Sequence, residues 1–114
     1  MEIIEKRVNQ RKIVVDEATD FSNHLEFKCT SILIGSYARG DFNLWSDVDL
    51  LIIGDFKAKN PIERLKYVDF PPGYEVILLT TGEVKKMKER NNKFITDALK
   101  DGVFLRDDFH FIEP

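Results

Sequence analysis

The stretch that decides the fold is Ser31-Ile32-Leu33-Ile34-Gly35-Ser36-Tyr37-Ala38-Arg39-Gly40-Asp41-Phe42-Asn43-Leu44-Trp45-Ser46-Asp47-Val48-Asp49-Leu50-Leu51-Ile52-Ile53. It opens with a short apolar run that stops at Gly35, the pattern of a buried strand feeding a turn. It closes with a second such run, Val48–Ile53, ended by Gly54. Between them lie a Gly-Ser pair and two aspartates one residue apart. Glycine lets a backbone come close to a ligand, and the N–H groups of a turn that opens a helix have no internal partners. With the Ser36 hydroxyl they form a candidate phosphate cradle. Side chains two apart on a strand share a face, so the Asp47 and Asp49 carboxylates converge, and Leu51 and Ile53 continue that face into a core. Like charges so placed need a compensating cation or donors. Carboxylate oxygens suit Mg²⁺, which keeps room for substrate phosphates.

Outward from this segment, Tyr74–Leu79 reads as a third strand, entered through the Pro71-Pro72-Gly73 turn. Glu75, Ile77 and Leu79 share one of its faces. If this strand lies beside the second, Glu75 joins the aspartates. Three acids of this kind serve two-metal phosphoryl transfer, where one metal activates the attacking oxygen and the other holds the triphosphate.

The remaining chain fits around these strands. Residues 2–27 read as helical, with an interruption suggested by the β-branched run Ile13-Val14-Val15. Pro61 opens a short helix through about Tyr67. Thr80 and Glu83 have capping-box spacing, and the pattern from Val84 to Leu99 predicts one final helix ending at Gly102. Val103–Leu105 reads as an edge strand. The expected fold is a single α/β (α+β) domain over 1–114, a small mixed sheet of three or four strands flanked by helices.

Gly35-Ser36, ten residues, then Asp47-Val48-Asp49 resembles the signature of the DNA polymerase-β-like nucleotidyltransferase superfamily. GSYARGDFNLWSDVDLLII is similar to the prokaryotic minimal nucleotidyltransferase branch. YEVILLTTGEVKKMKERNNKFITDALKDGVFL resembles that branch's third carboxylate strand and closing helix. The resemblance implies a polymerase-β-like core. It implies metal ligands, two Mg²⁺ ions and catalysis at Asp47, Asp49 and Glu75. It also implies phosphate contacts at Gly35 and Ser36, with Arg39 and Ser46 as further nucleotide-binding positions. Glu75 departs from the aspartate usual at its place and is longer by one methylene. The implied substrate is an NTP, ATP foremost. Small members of the branch are often paired with a helical HEPN-type protein, so the resemblance also implies an antitoxin role, by adenylylation or by contact, and a homo- or hetero-oligomer. A regulatory nucleotide sensor is a third reading.

Composition narrows the field. A formal net charge of −3 argues against coating nucleic acid, because such domains are usually basic. No segment reads as a membrane span, and the charged N-terminal stretch lacks a signal peptide's apolar core, which makes the cytoplasm the expectation. The lone Cys29 cannot form an internal disulfide and reads as a small buried apolar residue. Lys85, Lys86, Lys88, Arg90 and Lys93 read as a solvated helix face. His24 and His110 lack partners at metal-ligand spacing. Phe42 and Trp45 read as loop aromatics that pack, stack a base or meet a partner.

Overall fold

The computed structural model describes residues 3–112. Its elements, in chain order, are α1 (Ile3–Asn23), β1 (Cys29–Ile34), α2 (Gly35–Arg39), β2 (Val48–Gly54), α3 (Pro61–Arg64), β3 (Tyr74–Thr80), α4 (Thr81–Glu89), α5 (Lys93–Asp101) and β4 (Val103–Asp107). A 3-10 turn, Leu65–Tyr67, continues α3. The four strands form one mixed sheet in the order β3-β2-β1-β4. Strand β1 runs antiparallel to β2 and β4, while β2 and β3 are parallel.

The sheet is covered on both faces, which is why β1 and β2 read as nearly continuous apolar runs. On one face Leu33 and Leu50 pack with Val14 and Ala18 of α1 and with Tyr37 of α2. On the other, Ile32, Leu51 and Ile53 pack with Val84 of α4 and with Ile95 and Ala98 of α5. The alternation places the Asp49 side of β2 on the α4–α5 face.

Helix α1 is a single helix despite its β-branched run, because tertiary packing outweighs a weak local propensity. Val14, Ala18 and Ser22 are its buried residues, and the expected residues 24–27 fall outside it. Residue 2 lies outside the described residues. Arg7 and Arg11 tie α1 to the segment between the strands. Arg7 Nη1 donates to Phe42 O (2.6 Å), and Arg11 donates to Tyr37 O (2.8 Å) and Ala38 O (3.1 Å).

The C-terminal region corrects the expectation of one final helix. Asn91 adopts φ +54°, a left-handed conformation that ends α4, and its neighbour Asn92 starts α5 by accepting Ile95 N–H at 3.1 Å. Asparagine tolerates that backbone better than most residues, and the tandem pair lets one helix stop and another begin within three residues. The Thr80–Glu83 capping box is formed as expected. Gly102 ends α5 but with φ −69°, so its glycine is required for space rather than for a turn. A Cβ there would overlap Ala98 O and Ile32 Cγ2.

Other expectations stand in place. Cys29 is fully buried, and burial pushes its thiol up to about 11. The lysine-rich positions of α4 and α5 are exposed. Phe42 is buried and stacks on Tyr37 at 4.3 Å, whereas Trp45 is 87% exposed. Among the described residues, no helix is long and apolar enough to cross a membrane.

Candidate active site

The site forms where β1 gives way to α2, at the edge of the α4–α5 face. Gly35 leaves the strand with φ +74°. A Cβ at that position would overlap Asp49 Oδ2 and lie 3.2 Å from Asp49 Cγ. Glycine is therefore required twice, for the backbone angle and for the approach to the carboxylate. No side chain caps the first turn of α2, and Gly40, at φ +90°, ends it. A five-residue helix has little macrodipole. Anion affinity here rests on local N–H groups and cations.

Asp49 is the second residue of β2. Its partner on β1 is Ile34, and its partner on the parallel strand β3 is Glu75. The strand register alone thus sets the two acids side by side, with Leu51 facing Ile77 behind them. Asp49 is held above the usual carboxylate range. Burial is the largest cause, followed by the charge of Glu75, the charge of Asp47 and a hydrogen bond shared with Glu75; Arg39 opposes them. Such a pair resists carrying two full negative charges without a cation.

Gly35, Arg39, Asp49 and Glu75 line one cleft of about 380 Å³. That volume falls within the ordinary range of ligand pockets. Three other expected residues lie outside its lining. Asp47 is exposed and stands one residue before β2, close enough for its charge to act on Asp49. The Ser36 carbonyl accepts N–H bonds from Gly40 (2.8 Å) and Asp41 (3.1 Å). The Ser46 hydroxyl accepts Asn43 N–H at 2.8 Å and shapes the loop. Arg39 also pairs with Asp41 at 3.1 Å, on an exposed surface where such a pair contributes little.

Among the described residues, no three acidic, histidine or cysteine side chains form a ready-made metal cluster. The donor set nevertheless fits a hard divalent cation. Two carboxylates meet, Arg39 offsets their charges only in part, and an open cleft faces them.

The cleft also contains residues that sequence reading did not single out as site residues. Phe94, Asp97, Ala98 and Asp101 line it from α5. Phe94 and Ala98 were expected on the helix's packing face. The signal was the spacing of Asp97 and Asp101, three and seven residues after Phe94, which puts acids on that same face.

Comparison with known proteins agrees with this architecture. The nucleotidyltransferase domain family matches residues 18–114. A Methanocaldococcus jannaschii protein named "putative protein adenylyltransferase" is 34% identical over 74 residues, covering 65% of this chain and 74% of that protein. A Sulfolobus solfataricus crystal structure, titled a "putative nucleotidyltransferase", superposes with a TM-score of 0.55 at 24% identity. That superposition covers 89% of this chain and 83% of the other, a likeness of fold. With most of its length matched by the family, and with Gly35 at the start of α2 and Asp49 and Glu75 on paired strands lining one cleft, the chain belongs to the nucleotidyltransferase domain family.

Proposed function

We propose that this domain transfers a nucleotide, AMP from ATP foremost, to an acceptor hydroxyl with Mg²⁺ bound at its acids. The observation that carries the reading is the register pairing of Asp49 with Glu75 against the bare backbone of Gly35. Asp49 and Glu75 would hold the metal, with Asp47 completing the set from the loop. Bound there, two Mg²⁺ ions would neutralise phosphate charge and make the acceptor oxygen a better nucleophile.

The chain's own residues account for the rest of the chemistry. Gly35 and Ser36 leave N–H groups and a hydroxyl where phosphates can approach, and Arg39 adds a positive charge at the cleft wall. Ser46 keeps the loop ahead of Asp47 in shape. The acceptor oxygen bonds to the α-phosphorus as the bond to the bridging β-phosphate oxygen breaks. Pyrophosphate leaves with that electron pair. Glu75 takes the hydroxyl proton, a role within its reach as the longer carboxylate beside Asp49. The test is incubation with α-labelled ATP, Mg²⁺ and candidate acceptors. Label transfer should disappear in Asp49→Asn and fall steeply in Glu75→Gln; transfer by the Asp47→Asn/Asp49→Asn double variant would refute the mechanism.

A second reading has its own observation. Leu44 (86%) and Trp45 (87%) are exposed, as are Ile3, Ile4 and Val8 near the start of α1. Apolar surface of this kind suits a partner, so a HEPN-type helical protein, held in the cytoplasm in a hetero-oligomer, is the proposed acceptor or target. Neutralisation of that partner by Asp49→Asn would favour contact alone; loss of neutralisation with the complex intact would favour chemistry.

A further inference from the structure

The cleft has more wall than phosphate transfer needs. Its far lining is one face of α5, made by Phe94, Asp97, Ala98 and Asp101 at helical spacing. Phe94 keeps 37% of its surface exposed, while its neighbour Ile95 is fully buried. Ile95 therefore anchors α5 to the sheet, and Phe94 leaves an aromatic surface open to the cleft. Such a ring is a platform for a nucleobase.

The two acids beside it differ. Asp97 is engaged by Lys93 at 2.6 Å, whereas Asp101 forms no ion pair among the described residues. An ionised carboxylate only accepts hydrogen bonds. Beside a base it favours an exocyclic amino group and disfavours a carbonyl at the same place.

We propose that α5 reads the base: Phe94 stacks on it, and Asp101 accepts a hydrogen bond from an exocyclic amine, so that the cleft selects adenine over uracil. The inference rests on the nucleotide-transfer reading, since Gly35, Arg39, Asp49 and Glu75 take the phosphate end of the same cleft. The purine ring stacks on Phe94 with more area than a pyrimidine. Ala98, one turn along, leaves the space that a larger side chain would fill.

The test is calorimetric titration with α,β-methylene ATP and its UTP counterpart, both with Mg²⁺. The wild-type chain should bind the ATP analogue more tightly. Phe94→Leu should weaken ATP-analogue binding about tenfold, the usual scale of a lost base–aromatic stack, and Phe94→Tyr should restore it. Asp101→Asn should narrow the ATP-over-UTP preference, because an amide can also donate to a carbonyl. Unchanged binding by Phe94→Leu, or an unchanged preference in Asp101→Asn, overturns the inference. Should Phe94→Leu fail to show a native melting transition, the Asp101→Asn preference decides. Asp49→Asn separates the two readings. If the wild type binds, Asp49→Asn does not and Phe94→Leu does, the phosphate site stands and the base wall falls. If the wild type binds neither analogue, both fall.

Discussion

Replacing Gly35 with alanine tests the link between backbone and carboxylate, and Gly40 supplies an internal control. Both glycines have left-handed backbones, at φ +74° and +90°. A Cβ in that region costs roughly 1–2 kcal/mol. At Gly40 the added Cβ would meet nothing within 4 Å, so Gly40→Ala should cost that amount alone. At Gly35 it would overlap Asp49 Oδ2 and press on Cγ at 3.2 Å and Cβ at 3.3 Å. The carboxylate has to swing off its rotamer, adding about 1 kcal/mol. Gly35→Ala should thus be destabilised by about 2–3 kcal/mol, lowering the melting temperature by roughly 8–12 °C against roughly 4–8 °C for Gly40→Ala. Differential scanning calorimetry measures both. The extra increment belongs to one contact, so it should vanish when Gly35→Ala is combined with Asp49→Ala. Binding of Mg²⁺ and an ATP analogue should fall more than tenfold in Gly35→Ala and stay near wild type in Gly40→Ala, because only the former displaces the Asp49 carboxylate, the proposed metal ligand. Equal destabilisation of the two variants, with full additivity in the Asp49→Ala background, would refute the reasoning.

Three further outcomes follow from the same geometry. Asp49→Asn should raise the melting temperature at neutral pH without metal, since the folded-state carboxylate is held above its ordinary range by burial and by Glu75, and it should abolish stabilisation by added Mg²⁺ and nucleotide; a lower melting temperature counts against the assignment. Arg64→Met should cost about 3 kcal/mol in urea titration, because the residue is 2% exposed and its guanidinium pairs with Glu83 at 2.6 Å and serves the carbonyls of Ala58 and Leu78. Glu83 and Asp108 are held below their ordinary range, chiefly by the Arg64 hydrogen bond and by Cys29 N–H, so their stability is present above the unfolded value near pH 4 and is lost as pH falls through the folded one; urea midpoints measured from pH 6 to pH 2 should drop below about pH 4, and less so in Asp108→Asn.

The strands were legible because each is a short apolar run bounded by turn residues. Even the meeting of Asp49 and Glu75 followed from one added condition, that β3 lies beside β2. The α4–α5 break was not legible from periodicity. Val84, Met87, Phe94 and Ala98 keep step across it, so the apolar pattern runs through a place where the backbone reverses sign at Asn91. The signal was the Asn91-Asn92 pair, which supplies first a left-handed residue and then a cap. Two motif positions stand apart from the cleft lining: the Ser46 hydroxyl accepts Asn43 N–H within its own loop, and the Ser36 carbonyl accepts the N–H groups of Gly40 and Asp41. The α5 wall was hidden because Phe94 and Asp101 are distant in sequence from Asp49 and share a cleft only once the sheet forms.

Asp49 shows why such a site is built on central strands rather than on a loop. Its carboxylate is unfavourable where it stands: partly buried, beside Glu75, and within the field of Asp47. An exposed loop would relax and move these charges apart. Strand β2 cannot, because β1 and β3 hold it from both sides and its Leu50, Leu51, Ile52 and Ile53 are fully buried. The burial of that strand fixes the backbone and so keeps the acids at the cleft edge. A divalent cation would then relieve repulsion already present in the folded state and bind without first drawing its ligands together. Stability spent on Asp49 in the metal-free domain is recovered as affinity. The same substitution, Asp49→Asn, should therefore move metal-free stability and ligand-induced stability in opposite directions.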